Sequence, residues 1–93
     1  MIHDLKIWPD YFDSIDRGEK TFELRKNDRG FNINDTLCLR EWNPVVKNYT
    51  GRQLNVKVTY ICSNTVFGLQ PGYVCMAVKK EYRQHENQDV LCF

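Results

Sequence analysis

The segment from Gly18 to Arg25 holds the densest group of side chains in this chain that could do chemistry. It spells the pattern GxKxxExR and contains Lys20, Thr21, Glu23 and Arg25. Side chains alternate between the two faces of a strand, so Thr21, Glu23 and Arg25 would share one face. A hydroxyl, a carboxylate and a guanidinium in a row, with an ammonium at one end, can hold a polar ligand with donors and acceptors. The alternative is a solvated strand face with a weak ion pair.

A helix and a strand must position this motif. Pro9 suits the first turn of a helix and Gly18 its C-terminal cap, so residues 9–17 predict one helix. Alternation of apolar and polar side chains predicts strands at residues 3–8, 21–26, 36–42, 52–62 and 73–80. One main helix among long strands is an α+β pattern. It favours a small, curved, mostly antiparallel β-barrel.

Several large side chains have expected places in this barrel. Phe31 and Ile33 are expected to plug it from the loop after the motif strand. Tyr60 shares the apolar face of its strand, which predicts a core position. Trp8 and Trp42 lie opposite the apolar faces of their strands, and the pattern leaves open whether each packs in the core or lines a cleft.

The charges of the chain are nearly balanced, with 13 basic and 12 acidic residues and a net charge of +1. This balance does not predict tight, nonspecific binding to a polyanion. Residues 17–29, however, hold five basic and three acidic side chains. They predict a local basic patch that comprises Arg17, Lys20, Arg25, Lys26 and Arg29.

Four cysteines are present, and no two of them have the short spacing of a metal-ligand pair. Cys38, Cys62 and Cys75 lie in apolar, strand-like runs, which predicts reduced thiols in the core. Disulfides or a bound metal are the alternatives, and Cys92 lies in the tail. The sequence therefore predicts neither a metal site nor a cofactor.

The 93 residues suffice for one domain with one core. The core would span about residues 3–80, followed by a tail at 81–93. No apolar stretch is long enough for a transmembrane helix, and the first residues lack the pattern of a secretory signal. We therefore expect no membrane partner and a cytoplasmic location.

The motif and several other segments resemble the ASCH domain, a branch of the PUA-like superfamily. Residues 18–25 resemble the ASCH signature. Five further segments resemble a bacterial and phage subfamily that was long classed as of unknown function. They are residues 3–9, 25–29, 39–42, 49–52 and 72–74. The resemblance covers about residues 3–80. It implies a small β-barrel with a cleft beside the helix, lined by the signature strand, and a role in binding RNA or a modified nucleoside.

One branch of the ASCH family hydrolyses acetylated cytidine and related amides. The resemblance places Lys20 at the position of a catalytic lysine of that branch. Its catalytic threonine lies three residues after the lysine, where this chain has Glu23, and Thr21 does not fill that position. A nearby carboxylate favours the charged form of a lysine, which is a poor nucleophile and a poor base. Catalysis by Lys20 and Glu23 is therefore an alternative hypothesis.

The first hypothesis is an RNA- or nucleotide-binding module. Glu23 would accept from a base amino group, and Trp8 or Trp42 would stack on a base. Phosphates would be contacted by Lys20, Arg25, Lys26, Arg29 and Arg40. The alternatives are an amidohydrolase for a modified nucleoside, and a phage or mobile-element accessory protein that binds another protein.

Overall fold

The computed structural model describes residues 1–81, which contain five strands and one α-helix. The predicted elements are all present, and β4 differs most from its predicted bounds because it starts four residues before residue 52. No helix within this part of the chain is long and apolar enough to cross a membrane. The predicted tail lies outside the described residues except for Glu81. The elements are β1 (Ile2–Ile7), α1 (Pro9–Asp16), β2 (Phe22–Lys26), β3 (Thr36–Asn43), β4 (Asn48–Cys62), a 3-10 turn (Thr65–Phe67) and β5 (Tyr73–Glu81).

The strands form one sheet in the order β1-β3-β4-β5-β2. β1 runs parallel to β3, and all other neighbouring strands are antiparallel. β1 and β2 are the two edges of the sheet, although only α1 separates them in the chain. The sheet curls into a half-barrel. The predicted α+β class, with one helix and a curved, mostly antiparallel sheet, is confirmed.

Two arginines connect the open edges of the half-barrel. Arg25 in β2 donates from Nη2 to the carbonyl of Lys6 at 2.5 Å, and Arg29 donates from Nη1 to the carbonyl of Asp4 at 2.6 Å. Edge strands carry backbone groups without a strand partner. These two guanidinium groups supply donors to such carbonyls in β1 and hold the two edges together.

The hydrophobic core fills the inner face of the half-barrel, and α1 covers part of it. Every second side chain of β1, and likewise of most of β3, β4 and β5, is buried, as expected for strands with one covered face. The buried apolar side chains are Leu5, Ile7, Phe12, Ile15, Phe31, Leu37, Leu39, Leu54, Val56, Val58, Val74, Met76 and Val78.

The loop between β2 and β3 contributes one side chain to the core. Phe31 is buried, which confirms its predicted position. Ile33 is half exposed, so the prediction that it plugs the barrel was wrong. The chain turns here, with the amide of Asp35 donating to the carbonyl of Asn32, and this turn holds Ile33 at its tip.

Tyr60 is 63% exposed, and its predicted core position was wrong. The pairing of β4 with β5 shifts by one residue between Val58 and Tyr60. Such a bulge inserts an extra residue and turns the following side chains to the opposite face. Ile61 therefore packs against the core in the place that strict alternation assigns to Tyr60.

Asp35 is a buried carboxylate that ties the start of β1 to the start of β3. Its Oδ2 accepts from His3 Nε2 at 2.9 Å and from the amide of Asn32 at 2.9 Å. The hydrogen bond from His3, followed by that from Asn32, lowers the pKa of Asp35 to about 2. Hydrogen bonds to the charged form have this effect because they favour the carboxylate over the acid.

Glu41 is a second buried carboxylate, and it helps to hold α1 on the sheet. It accepts from Arg52 through Nε at 3.0 Å and Nη2 at 2.8 Å, and from the hydroxyl of Thr50 at 2.5 Å. Arg52 also donates to Asp13 of α1 at 2.7 Å. The hydrogen bonds from Arg52 are the main reason why the pKa of Glu41 is lowered.

The cysteines that the structure describes are free thiols on the outer face of the sheet. Cys38 alternates with buried leucines, and Cys75 alternates with Val74 and Met76, so neither lies in the predicted core. Cys62 is the cross-strand partner of Cys75 and is also half-buried. Cys92 lies outside the described residues. Within residues 1–81, no cluster of three or more His, Cys, Asp or Glu side chains could hold a metal ion.

Candidate functional site

A cleft of about 550 Å³ opens where the two edges of the half-barrel meet, between the end of β1, α1 and β2. Four predicted site residues line it, namely Trp8, Lys20, Glu23 and Arg25. The complete lining consists of Lys6, Ile7, Trp8, Tyr11, Lys20, Phe22, Glu23, Leu24 and Arg25.

The junction between α1 and β2 brings Lys20 to this cleft. α1 ends at Asp16, and Gly18 has a φ of 79°, a left-handed conformation that favours glycine after a helix. The amides of Glu19 and Lys20 then donate to the carbonyl of Ser14, which closes the turn. The chain therefore reverses tightly, and Lys20 lies at the entrance of β2.

The polar face of β2 points into the half-barrel. Glu23 is only 4% exposed, whereas Phe22 and Leu24 on either side are about half exposed. The cross-strand partner of Glu23 is Met76, a fully buried core residue. A carboxylate in such a place needs charged or hydrogen-bonding partners, because an unpaired buried charge is strongly destabilising.

Both oxygens of Glu23 have such a partner. Lys20 Nζ donates to Oε1 at 2.5 Å, and Arg25 Nε donates to Oε2 at 2.7 Å. The side chains of Lys20 and Arg25 are 16% and 26% exposed, so the three charges are shielded from water on most sides. Two cations share one carboxylate, and the group as a whole carries one positive charge.

The cations of this group keep donors for a ligand. Lys20 also donates to the carbonyl of Phe22, and Arg25 to that of Lys6. An ammonium has three N–H donors and a guanidinium has five. Within residues 1–81, the third N–H of Lys20 and the Nη1 group of Arg25 have no acceptor. An acceptor atom of a bound molecule can take both.

Two aromatic side chains stand beside these donors. Trp8 immediately precedes α1 and Tyr11 lies in its first turn, and their side chains are 55% and 52% exposed. The ammonium of Lys20 lies 5.5 Å from the ring centroid of Tyr11. The cleft thus combines exposed ring surface with a cationic floor.

The remaining predicted residues lie elsewhere. The carbonyl of Thr21 accepts from the amide of Val78, and its side chain does not line the cleft. Lys26 is exposed at the end of β2, and Arg29 is engaged with the carbonyl of Asp4. The predicted basic patch is therefore divided between the cleft, the junction of β1 with β2 and the exposed end of β2.

Arg40 and Trp42 belong to a separate group on the outer face of the sheet, which we call the outer cluster: Lys6, Arg40, Trp42 and Tyr49. The rings of Trp42 and Tyr49 meet edge to face with centroids 5.0 Å apart. Lys6 Nζ lies 3.9 Å from the Trp42 centroid, and Arg40 Cζ lies 4.2 Å from that of Tyr49. Trp42 thus packs neither in the core nor in the cleft.

Sequence reasoning missed Tyr11 and Lys6 as cleft residues. Tyr11 lies inside the helix predicted at residues 9–17, but Phe12 and Ile15 alone form the buried face of α1. An aromatic residue off the buried face of an amphipathic helix is the signal that could have identified it. Lys6 carried no such signal, because it reaches the cleft only through the meeting of β1 with β2.

Comparison with known proteins gives two matches. Residues 2–78 match the family model described as a domain of unknown function, DUF3850. An uncharacterized 12.9 kDa protein in the GpA 3′ region of Escherichia phage P2 is 41% identical over 58 residues. That alignment covers 62% of this chain and 51% of the phage protein, so it spans about half the length of that relative. Because the family model covers most of the chain, the chain belongs to the DUF3850 family.

Proposed function

We propose that this chain is an RNA- or nucleotide-binding module and that the cleft holds one nucleotide. The observation that carries the proposal is the pair of exposed rings, Trp8 and Tyr11, beside a cationic group with unused donors. The proposal includes an ASCH-like, PUA-like classification. The curled sheet, the single helix and the cleft along the GxKxxExR strand support it.

A nucleotide combines the two chemistries that the cleft offers. Every base has a π-face, and stacking on an aromatic side chain contributes about 1–3 kcal/mol per base. Carbonyl oxygens of a base and phosphate oxygens accept from ammonium and guanidinium groups. Trp8 or Tyr11 would stack on the base, while Lys20 and Arg25 would donate to its acceptors or to its phosphate.

Glu23 has a different role in this proposal from the one that the sequence suggested. Its two oxygens already accept from Lys20 and Arg25. It therefore acts mainly as the anchor that holds these two cations in a fixed geometry, and less as an acceptor for a base amino group. A preorganised pair of donors loses little side-chain entropy when the ligand binds.

The same contacts argue against amide hydrolysis as the main activity. Two of the three N–H groups of Lys20 are engaged with Glu23 and the carbonyl of Phe22. An ammonium held by a carboxylate is a poor nucleophile. Thr21, the nearest hydroxyl in the motif, is not among the residues that line the cleft.

One observation favours a second candidate, the binding of another protein. The outer face of β2, β5 and β4 carries two apolar cross-strand rows, Phe22–Ala77–Tyr60 and Leu24–Cys75–Cys62. Phe22, Leu24 and Tyr60 are each about half exposed or more. Contiguous exposed apolar surface is typical of interaction sites. If this face binds a protein, Tyr60→Lys abolishes retention of that protein in affinity purification while Trp8→Ala does not, because Tyr60 lies on this face and outside the cleft.

The nucleotide proposal is tested by titrating the protein with single-stranded RNA of about eight nucleotides and with cytidine monophosphate at low salt. Trp8→Ala and Tyr11→Ala remove ring surface from the cleft. Tyr60→Ala is the matched control, because it removes an exposed ring outside the cleft. We expect the two cleft variants to bind RNA roughly tenfold more weakly, in line with the loss of stacking, and the control to bind like the wild type.

Circular dichroism and thermal unfolding must show that all three variants are folded. Equal weakening in the cleft variants and in Tyr60→Ala would move the site away from the cleft. Absence of binding by the wild type to both probes at low salt would reject the proposal, because electrostatic contacts to phosphates are strongest under that condition.

A further inference from the structure

Lys6 and Arg40 of the outer cluster lie side by side on the outer face of the sheet, as partners in the β1–β3 register. Within the part of the chain that the structure describes, neither forms an ion pair with a carboxylate. Asp4 lies two residues before Lys6 and is the cross-strand partner of Cys38. Two neighbouring cations without a counter-ion repel each other, which costs free energy.

Aromatic rings hold the two cations in place. The ammonium of Lys6 lies over Trp42, and the guanidinium of Arg40 lies over Tyr49. A cation over a ring face is attracted by the ring quadrupole. Among residues 1–81, the side chains of Lys6 and Arg40 donate no hydrogen bond. The outer cluster therefore presents fixed, unsatisfied donors of one charge, an arrangement that suits a phosphate oxygen.

Lys6 connects the outer cluster to the cleft. It is one of the residues that line the cleft, while its ammonium lies 3.9 Å from the Trp42 ring centroid on the outer face. A chain of nucleotides that leaves the cleft past the end of β1 would meet Lys6 first and Arg40 next. The two surfaces are thus continuous at one residue.

We propose that the outer cluster is a phosphate-binding extension of the cleft, which guides a single-stranded nucleic acid whose terminal or flipped nucleotide occupies the cleft. The inference rests on the proposed function. It divides the contacts of the complex between two surfaces: the cleft takes a base, while Lys6 and Arg40 contact phosphates of the adjoining nucleotides. Phosphate contacts position a strand without reading its sequence.

The test compares two double variants and two probes. Lys6→Gln/Arg40→Gln removes the proposed contacts. Lys57→Gln/Lys79→Gln is the matched control, because Lys57 and Lys79 are exposed cross-strand partners on the outer face of β4 and β5 and change the net charge equally. The probes are cytidine monophosphate, which is small enough for the cleft alone, and single-stranded RNA of about eight nucleotides.

We expect Lys6→Gln/Arg40→Gln to weaken RNA binding at least about tenfold. The slope of log affinity against log salt should become shallower by about 1.4, at about 0.7 for each phosphate contact on a single strand. Cytidine monophosphate is tested with Arg40→Gln alone, because Lys6 lines the cleft and Arg40 does not. The affinity of this single variant for cytidine monophosphate should stay within about twofold of that of the wild type. The control variant should lose no more than about threefold in RNA binding, since it changes only the general charge.

The outcomes separate this inference from the proposed function. Equal losses in the two double variants, or no loss in either, would overturn the inference. The inference would also be overturned if RNA binding depends on Trp8 but is no tighter than binding of cytidine monophosphate. The proposed function would stand in that case. Binding of RNA that depends on Lys6 and Arg40 but not on Trp8 would reject the cleft and keep the outer cluster as a phosphate site. Absence of any binding would reject both.

Discussion

Glu23 and Glu41 occupy similar places in the half-barrel but are neutralised in opposite ways. Both are buried carboxylates on strands, with side chains that are 5% exposed. At Glu23, two cations share one carboxylate. At Glu41, two carboxylates share one guanidinium, since Arg52 also contacts Asp13.

The difference separates a binding arrangement from a structural one. The oxygens of Glu41 accept from Arg52 at two nitrogens and from Thr50, and the resulting network joins β3, β4 and α1. The group around Glu23 holds an excess of donors beside an open cleft. Burial of a charge alone therefore does not identify a site, whereas a surplus of donors or acceptors next to open space does.

The largest expected effect is on stability, and it comes from neutralising Glu23. Glu23→Gln leaves Lys20 and Arg25, both less than a third exposed, as neighbouring cations without a counter-ion. Removing one partner of a buried ion pair costs about 3–5 kcal/mol. We expect the free energy of unfolding, measured with urea, to fall by about 3 kcal/mol at neutral pH.

Glu41→Gln is the matched control for this prediction. Arg52 is half exposed and keeps its contact with Asp13, so water and a second carboxylate compensate for part of the loss. We expect a decrease of about 1 kcal/mol, near the value of a single hydrogen bond. A cost for Glu41→Gln as large as that for Glu23→Gln would show that the two carboxylates are neutralised equally well and would remove the contrast.

The fold was largely predictable from the sequence because alternation and turn residues determine most of the sheet. The exceptions have local causes. Tyr60 follows the alternation of Val56 and Val58, but the bulge after Val58 turns it outward. A bulge of this kind leaves no mark in a pattern of apolar and polar residues, since it depends on how β4 pairs with β5.

The site was predictable only in part, because only some of its residues are close to one another along the chain. Lys20, Glu23 and Arg25 come together because they lie within six residues of one another on a turn and a strand. Arg40 and Trp42 were placed with them because of their residue types, yet they lie on the other face of the sheet. Alternation places both opposite the buried leucines of β3. That this outer face lies away from the cleft depends on how β1 meets β2, which a sequence read in order does not show.

A second prediction concerns Asp35, a buried carboxylate whose oxygens, like those of Glu41, are engaged in contacts that stabilise the fold. The hydrogen bond from His3, with that from Asn32, lowers the pKa of Asp35 from 3.8 to about 2. The unfolded chain therefore takes up a proton near pH 4, while the folded chain takes it up only near pH 2. Stability from this group is complete above about pH 4 and is lost as the pH falls toward 2.

Urea unfolding of the wild type and of Asp35→Asn at several pH values between about 2 and 6 measures this dependence. We expect the free energy of unfolding of the wild type to fall as the pH is lowered through the acid range. For the variant, we expect this free energy to be lower at neutral pH and to depend less on pH. The lowered pKa of Glu41 acts in the same direction and leaves some acid dependence in the variant. Parallel profiles for the two proteins would contradict the role of Asp35.

The smallest expected effect compares two threonines, one from each side of the contrast. Thr50 donates from its hydroxyl to Glu41 at 2.5 Å and also accepts from the amide of Arg52 at 3.2 Å. The hydroxyl of Thr21 has no hydrogen bond among residues 1–81, although its residue type and spacing made it a predicted site residue.

Thr→Val keeps the branched shape that suits a strand and removes only the hydroxyl. We expect Thr50→Val to lower the free energy of unfolding by about 1 kcal/mol, the usual net value of a hydrogen bond, and Thr21→Val to change it by less than about 0.5 kcal/mol. If Thr21→Val instead weakens RNA binding with no change in stability, the binding site extends beyond the cleft to the start of β2, and the motif contributes more of its polar face than the structure indicates.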